Sequence, residues 1–273
     1  MGKLIDFPTS FAEFVIATFL PLYLGLLLIA VLRWKLHFSS RYLSAFAIGL
    51  LFWFFLDTLN DAIQLGVNEG YSFGFEHAAL LLLFVFGFLS LVLLSGFSMR
   101  RGAMGTSQSI ALTTGILVAL GMGFHGIGEG LEFGGTSAGT SALTVLDAIG
   151  GYSGGVAYVL HKFLEATIVM TVFVCLLATE RIDLRKQVWQ ILILGLMFGL
   201  PSALGEIIGY YAPIDASYSY ALGGGAALFV AALAIRPIWG DAWKSGLTYS
   251  EYVKMMLTVL VGFLCLYGAA MFH

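Results

Sequence analysis

Charged residues are scarce in this sequence. Asp, Glu, Lys and Arg make up 11% of its 273 residues, whereas 59% of the residues are hydrophobic. A water-soluble domain contains roughly 25% charged residues, so the composition indicates a chain that is surrounded mostly by lipid. The formal net charge of -3 is small, and the positions of the charges are therefore more informative than their sum.

Cysteine is scarce as well. Cys175 and Cys265 lie in different apolar runs, and neither belongs to a CxxC pair. This excludes a disulfide framework, and we expect both thiols to be buried as small apolar side chains. The sequence also lacks a GxxxxGK pattern and any segment long enough to fold as a soluble domain. Nucleotide binding is therefore not indicated, and we expect no nucleic acid partner.

Long apolar runs, by contrast, recur along the whole chain. A helix needs about 20 mostly apolar residues to cross the hydrocarbon core of a bilayer. We therefore predict an all-α integral membrane protein with eight transmembrane helices in a single domain, residues 1–273. The first run is too long for a signal-peptide core and ends at Arg33 without a small-residue cleavage site, so we interpret it as a retained helix. The eight runs lie near 11–32, 42–66, 77–98, 110–133, 153–179, 188–211, 217–235 and 252–272.

The basic residues fall almost entirely on one side of the eight predicted helices. Eleven Lys and Arg residues lie in or beside the segments of one side, and Lys3 is alone on the other. Because Lys and Arg accumulate on the cytoplasmic side, we predict that both termini are extracytoplasmic and that the bilayer is the plasma (inner) membrane. The eleven are Arg33, Lys35, Arg41, Arg100, Arg101, Arg181, Arg185, Lys186, Arg236, Lys244 and Lys254.

Ionisable residues inside the predicted helices form two matching pairs. A His precedes a Glu by four residues in the fourth helix, at His125 and Glu129, and again in the fifth, at His161 and Glu165. Four residues advance a helix by about one turn, so both members of a pair project from one face, roughly 6 Å apart along the axis. Two such faces turned towards each other offer two imidazole nitrogens and two carboxylates to a divalent transition metal. Glycines flank the first pair and allow another helix to approach closely.

Further polar residues are candidates for additional metal positions or for metal entry. Asp57 and Asp61 repeat the four-residue spacing with a carboxylate at each position, and Asn60 lies between them. This arrangement suits an approach path for a hydrated cation. His77 follows Glu76 at an outer helix end, where helix capping and metal collection are both open as roles.

These residues resemble the motifs of the ZIP family of divalent metal transporters. The family's fourth-helix pattern runs His-Asn-x-x-Glu-Gly, and residues 125–130 read HGIGEG. Its fifth-helix pattern has His or Asp followed by a Pro-Glu-Gly step, and residues 161–166 read HKFLEA. A carboxylate in the family's sixth helix often completes a second metal position, and Glu206 matches that place. The chain departs from the family's pattern at Gly126, Gly128, Lys162 and Leu164.

The resemblance implies that a divalent metal moves towards the cytoplasm as the transported substrate, with no resident cofactor. Zinc is the expected ion, and iron, manganese, cobalt and cadmium stay open because imidazole and carboxylate suit them all. The implied fold is three helices, a central pair and three more, with inverted pseudo-symmetry between the trios; a homodimer is left open. Lys162 would then supply the positive charge that a second metal supplies in relatives, and its alternative role is a packing ion pair.

A membrane-embedded zinc-dependent hydrolase is the alternative function. His125, His161 and a carboxylate would hold the zinc with one position open for water, and Glu129 or Glu206 would act as the general base. The lack of a third histidine deep inside the predicted helices and of an obvious serine nucleophile beside the cluster argues against it. A channel-like iron permease rests on a single Glu-Gly-x-Glu motif at residues 129–132 and ranks lower.

Overall fold

The computed structural model describes residues 5–67, 75–102, 107–139, 151–177, 184–212, 214–242 and 247–271, without the side chains of 60–67, 76, 98–102, 107 and 235–242. Over these ranges the chain forms eight α-helices and no strand. The helices are α1 (Phe7–Trp34), α2 (Ser40–Val67), α3 (Phe75–Gly102), α4 (Ser107–Ala138), α5 (Gly151–Leu176), α6 (Leu184–Tyr211), α7 (Ala216–Ala242) and α8 (Tyr249–Ala270).

All eight helices of the described ranges are long and apolar enough to cross a membrane. This confirms the prediction of an all-α chain with eight such helices. Local signals set some of the helix ends. α1 carries a proline in its first turn, where the missing N–H costs nothing, and α8 begins with a capping box between Thr248 and Glu251, which satisfies two backbone donors. α4 runs to Ala138, beyond the predicted end of its apolar run.

Burial divides the helices into central and peripheral ones. Of the residues in the apolar spans of α5 and α4, 67% and 61% are buried, against 17% and 22% in α3 and α8. The peripheral helices expose large apolar side chains such as Leu82, Phe86 and Leu260, which suits a surface in contact with lipid. The two histidine–glutamate pairs therefore lie on the two most buried helices.

One sequence expectation about burial is wrong. Cys265 is exposed on the surface of α8, and Cys175 is only partly buried, with its sulfur 3.1 Å from the Ser44 hydroxyl oxygen. The apolar run around Cys265 resembles a buried helix because a lipid-facing surface is as apolar as a protein core. Composition alone therefore does not distinguish the two environments.

Glycines bring α4 and α6 into backbone contact. A Cβ atom added to Gly205 would collide with the carbonyl oxygen of Ile127, and one added to Gly209 would collide with the carbonyl oxygen of Leu131. Gly130 on α4 is pressed against α6 in the same way. Small residues four apart allow this close approach between membrane helices. As a result, α4 and α6 form the most extensive helix pair among the described residues.

We expect Gly205→Ala to lower the free energy of unfolding by about 1–3 kcal/mol, because the new methyl group must displace a backbone carbonyl. Gly96→Ala is the matched control, since a Cβ at Gly96 meets nothing within 4 Å. Thermal unfolding of both variants in detergent measures the difference. Equal stability of the two variants would contradict the close packing of α4 and α6.

We expect a single cysteine at Ser153 to react with an impermeant thiol reagent added outside intact cells, and single cysteines at Ser39 and Ser250 to be protected. All three serines are exposed, and the charge bias predicts that Ser153 alone lies outside. The background protein carries Cys175→Ser and Cys265→Ala. The opposite labelling pattern would show that the predicted orientation is inverted.

Candidate metal centre

The structure brings the two predicted pairs together. His125 and Glu129 on α4 face His161 and Glu165 on α5, and one ligand atom from each of the four side chains lies within 4.8 Å of the others. Each pair occupies one helix face because its members are one turn apart. The tertiary fold turns the two helix faces towards each other, and spacing along the chain does not determine this orientation.

The distances inside this cluster are close to those around a small metal ion. His161 Nε2 lies 3.2 Å from Glu165 Oε1, and His125 Nε2 lies 3.6 Å from Glu129 Oε1. Ligand atoms of a tetrahedral zinc ion lie roughly 3.3 Å apart, given bonds of about 2.0–2.1 Å. The two imidazole rings are 6.3 Å apart between centroids and inclined by 29°. Small side-chain movements would bring all four donors onto one ion.

Several polar atoms of the cluster are buried without a hydrogen bond. They include His125 Nδ1, His161 Nε2 and Glu165 Oε1. Buried polar atoms are normally satisfied, because leaving one unpaired costs about 1–3 kcal/mol. The His161 Nε2 and Glu165 Oε1 atoms face each other at 3.2 Å, and imidazole nitrogen and carboxylate oxygen are donors that a divalent transition metal accepts. The four side chains therefore fit a metal ion.

Lys162 joins the two carboxylates. It is fully buried, and its Nζ contacts Glu129 Oε2 and lies 2.7 Å from Glu165 Oε2. The Phe198 and Tyr158 rings flank the ammonium, with centroids 5.3 Å and 5.9 Å from Nζ. The ammonium thus lies on the same side of α5 as the cluster.

The surrounding helices hold the cluster through residues that sequence reasoning missed. Gly223 on α7 lies so close to α4 that a Cβ there would be 2.7 Å from the His125 Cα. The Phe54 ring meets the His125 imidazole edge-on at 5.4 Å. Tyr158 fixes its hydroxyl against Thr18 of α1 at 2.8 Å. None of these residues carries a motif, because each acts only through its neighbours in space.

Ser202 is a second residue that the sequence did not connect with the site. Its hydroxyl on α6 is buried, has no hydrogen-bond partner and lies directly against Gly126. A Cβ at Gly126 would be 3.7 Å from Glu129 Oε2, so Ser202 and Glu129 lie beside the same glycine. No serine lies next to the two pairs in the sequence, yet the fold brings Ser202 from α6 to the site.

Glu206 lies outside the four-residue cluster. It is fully buried, its Oε1 accepts a 2.9 Å hydrogen bond from the Ser10 hydroxyl of α1, and its Oε2 has no partner. It follows Ser202 by one turn of α6. The structure bonds this carboxylate to α1 and does not include it in the metal group. A second metal position at Glu206 therefore stays a prediction.

Asp57 and His77 are not members of the four-residue cluster. Asp57 lines a pocket between α2 and α8 that includes Tyr267, and His77 lies in the first turn of α3. The side chains of Asn60 and Asp61 lie outside the described part of the chain. The predicted approach path along α2 is therefore untested, and the His77 position contributes no ligand to the group of four.

Comparison of the chain with protein-family models finds no match, and comparison with curated proteins finds none either. Its class is therefore defined by its own features. These are eight helices able to cross a membrane and, between the two most buried of them, a His/Glu group that could hold a metal ion. The architecture is compatible with a multi-pass integral membrane protein.

We expect the purified protein to bind Zn²⁺, and each of His125→Ala, His161→Ala, Glu129→Gln and Glu165→Gln to weaken that binding by more than about 100-fold. Losing a residue that only supports a ligand already costs about 10–100-fold, so losing a ligand should cost more. Titration calorimetry and metal analysis in detergent measure the effect.

The control for this experiment is His37→Asn. His37 has a φ of 53°, a conformation that asparagine tolerates, and it is exposed far from the cluster in sequence. It should bind zinc as the parent does. Full zinc binding by the four cluster variants would show that the metal is held elsewhere.

Proposed function

We propose that this protein is a transporter that moves a divalent transition-metal ion, zinc in the first instance, across a membrane towards the cytoplasm. The main support is the group of two histidines and two glutamates whose ligand atoms converge within 4.8 Å. Ionisable groups at such depth in a membrane protein are expensive and usually mark an ion pathway. The ion is the transported substrate in this proposal and not a resident cofactor.

The pattern of helix contacts supports the proposed 3+2+3 arrangement. α4 packs on α6 and α7, while α5 packs on α1 and α2; α8 packs on α2, while α3 packs on α7. Suppose that α1, α2 and α3 are exchanged with α6, α7 and α8, and that α4 is exchanged with α5. The α4–α6 contact then becomes the α5–α1 contact, α4–α7 becomes α5–α2, and α2–α8 becomes α7–α3. Helices five apart run in opposite directions if every helix crosses the membrane, so the exchange corresponds to an inverted repeat.

The position of the cluster also favours a carrier. Its ligands come from α4 and α5, the pair that this exchange maps onto itself, and they lie near the middle of both helices. Carriers with inverted repeats bind their substrate near the midplane, where the two halves meet. Rocking of one half against the other would then expose the cluster to each side in turn.

The direction and family proposals rest on the sequence. The excess of basic residues on one side favours extracytoplasmic termini and a plasma (inner) membrane location. The resemblance of residues 125–130 and 161–166 to ZIP motifs favours movement of the metal towards the cytoplasm. We therefore propose that the chain is a divergent member of that family.

The membrane-embedded hydrolase has one observation in its favour. The buried Ser202 hydroxyl lies against Gly126 beside Glu129, where a nucleophile would be useful. The ion pairs argue against Glu129 as its general base, because Lys162 contacts an oxygen of both Glu129 and Glu165. Glu206 has an oxygen without a partner, but it lies outside the four-residue cluster and is bonded to Ser10. A general base needs a carboxylate that is free to accept a proton from water. Transport is therefore the function that the geometry supports better.

We expect proteoliposomes that contain the parent protein to accumulate Zn²⁺, as reported by a zinc-sensitive dye trapped inside, and His161→Ala proteoliposomes to show uptake near that of empty liposomes. His37→Asn should transport zinc at the parent rate. Absence of uptake by the parent, together with zinc-dependent ester or peptide hydrolysis that requires Ser202, would establish the enzyme instead of the transporter.

A further inference from the structure

Each glutamate of the cluster has one oxygen at Lys162 and only the other available to a metal, and this limits which ions the site can bind. We propose that Lys162 restricts the site to a single ion with four protein ligands. It thereby selects metals that accept two nitrogens and two oxygens, such as Zn²⁺ and Co²⁺, over Mn²⁺, Mg²⁺ and Ca²⁺. The inference rests on the proposed function, because it specifies which substrates the same cluster takes.

Each glutamate presents one oxygen to the lysine and one to a histidine. Glu129 Oε2 and Glu165 Oε2 both contact Lys162 Nζ, whereas the Oε1 atoms lie 3.6 Å and 3.2 Å from the histidine Nε2 atoms of their own helices. Only the Oε1 atoms are therefore free for a metal. Coordination through both oxygens of a carboxylate, which large oxygen-preferring ions use, would require displacement of the ammonium.

The ammonium has little freedom to move away. The Lys162 side chain is fully buried and lies between Phe198 of α6 and Tyr158 of α5. The Tyr158 hydroxyl is in turn held by Thr18. Separating a buried ammonium from its carboxylates leaves an uncompensated buried charge, which is strongly unfavourable. Lys162 therefore behaves as a fixed part of the site wall.

The charge of the cluster also limits it to one ion. With neutral imidazoles, the carboxylates of Glu129 and Glu165 and the ammonium of Lys162 sum to a formal charge of -1. One divalent ion changes this sum to +1, and a second would change it to +3 in a buried site. Without the ammonium, the same carboxylates would balance one divalent ion fully and accept a second more readily.

The donors that remain match some metals better than others. Two imidazole nitrogens and two single carboxylate oxygens form a four-coordinate set, which is the usual environment of Zn²⁺ in proteins. Mn²⁺, Mg²⁺ and Ca²⁺ prefer six or more ligands, mostly oxygen. A lysine that served only to pack the helices would need one carboxylate partner, whereas Lys162 engages a carboxylate from each helix at the ligand group itself.

The experiment measures equilibrium metal binding by the purified full chain in detergent, separately from transport. Metal analysis counts the bound ions, and competition between Zn²⁺ and Mn²⁺ gives the preference. We expect the parent to bind one ion and to prefer Zn²⁺ by about 100-fold or more. In Lys162→Met the preference should fall by about tenfold or more, because the freed oxygens favour Mn²⁺, and a second ion should bind.

Two further variants separate the role of the charge from a role in packing. Lys162→Arg keeps a cation beside the carboxylates and should bind one ion. Lys186→Met removes an exposed lysine near the start of α6 and should match the parent in both measurements. Size-exclusion chromatography and thermal unfolding show which variants are folded.

Two bound ions in the parent, or a parent without preference for Zn²⁺ over Mn²⁺, would overturn the inference even if Lys162→Met fails to fold. A folded Lys162→Met protein with the parent's stoichiometry and preference would also overturn it while leaving the transport proposal intact. A parent that binds no divalent metal would instead remove the proposed function, and the inference with it.

Discussion

Charged groups in the middle of a membrane protein have little access to water and must find their partners within the protein. In this chain the constraint is met by one arrangement, in which the ammonium of Lys162 contacts a carboxylate oxygen of both Glu129 and Glu165. The contact links α4 to α5, the two most buried helices. Removing either kind of partner would strand a buried charge, which costs more than the intact arrangement contributes. The positions of both central helices therefore depend on it.

Close backbone contacts with α6 and α7 hold α4 on its other sides. Glycines at Gly130, Gly205 and Gly209 let α6 meet the backbone of α4, and Gly223 lets α7 do the same beside His125. Such contacts gain many small dispersion interactions and leave no room for side-chain rearrangement. The peripheral helices differ, since they expose large apolar side chains, as a lipid-facing surface requires, and bury few of their own residues.

In the proposed transport cycle the same ion pairs balance binding against release. The empty cluster has a formal charge of -1 and the loaded cluster one of +1, so neither state carries a large uncompensated charge. A substrate site in a transport protein must bind its ion strongly enough to capture it and weakly enough to release it. A fixed ammonium beside the ligands weakens the attraction for the metal and holds the two carboxylates together when the site is empty.

Residue spacing along the chain was sufficient to predict the eight helices of the described ranges and to single out the four side chains of the candidate metal group. Apolar runs of about 20 residues form helices whatever their neighbours are, because a backbone in lipid must satisfy its own hydrogen bonds. A His and a Glu four residues apart share a helix face for the equally local reason of helix geometry. Local rules of this kind hold before any helix has packed.

The packing of helices that are distant in sequence decided the rest. It placed the Lys162 ammonium on one oxygen of each glutamate, brought the Ser202 hydroxyl against Gly126, and tied Glu206 to Ser10 outside the cluster. It also left Cys265 facing outwards, because an apolar helix has no sequence signal that separates a lipid-facing side from a buried one. These features depend on how each helix is rotated about its axis and how far it is shifted along its neighbours. Both quantities follow from the sum of all contacts in the bundle.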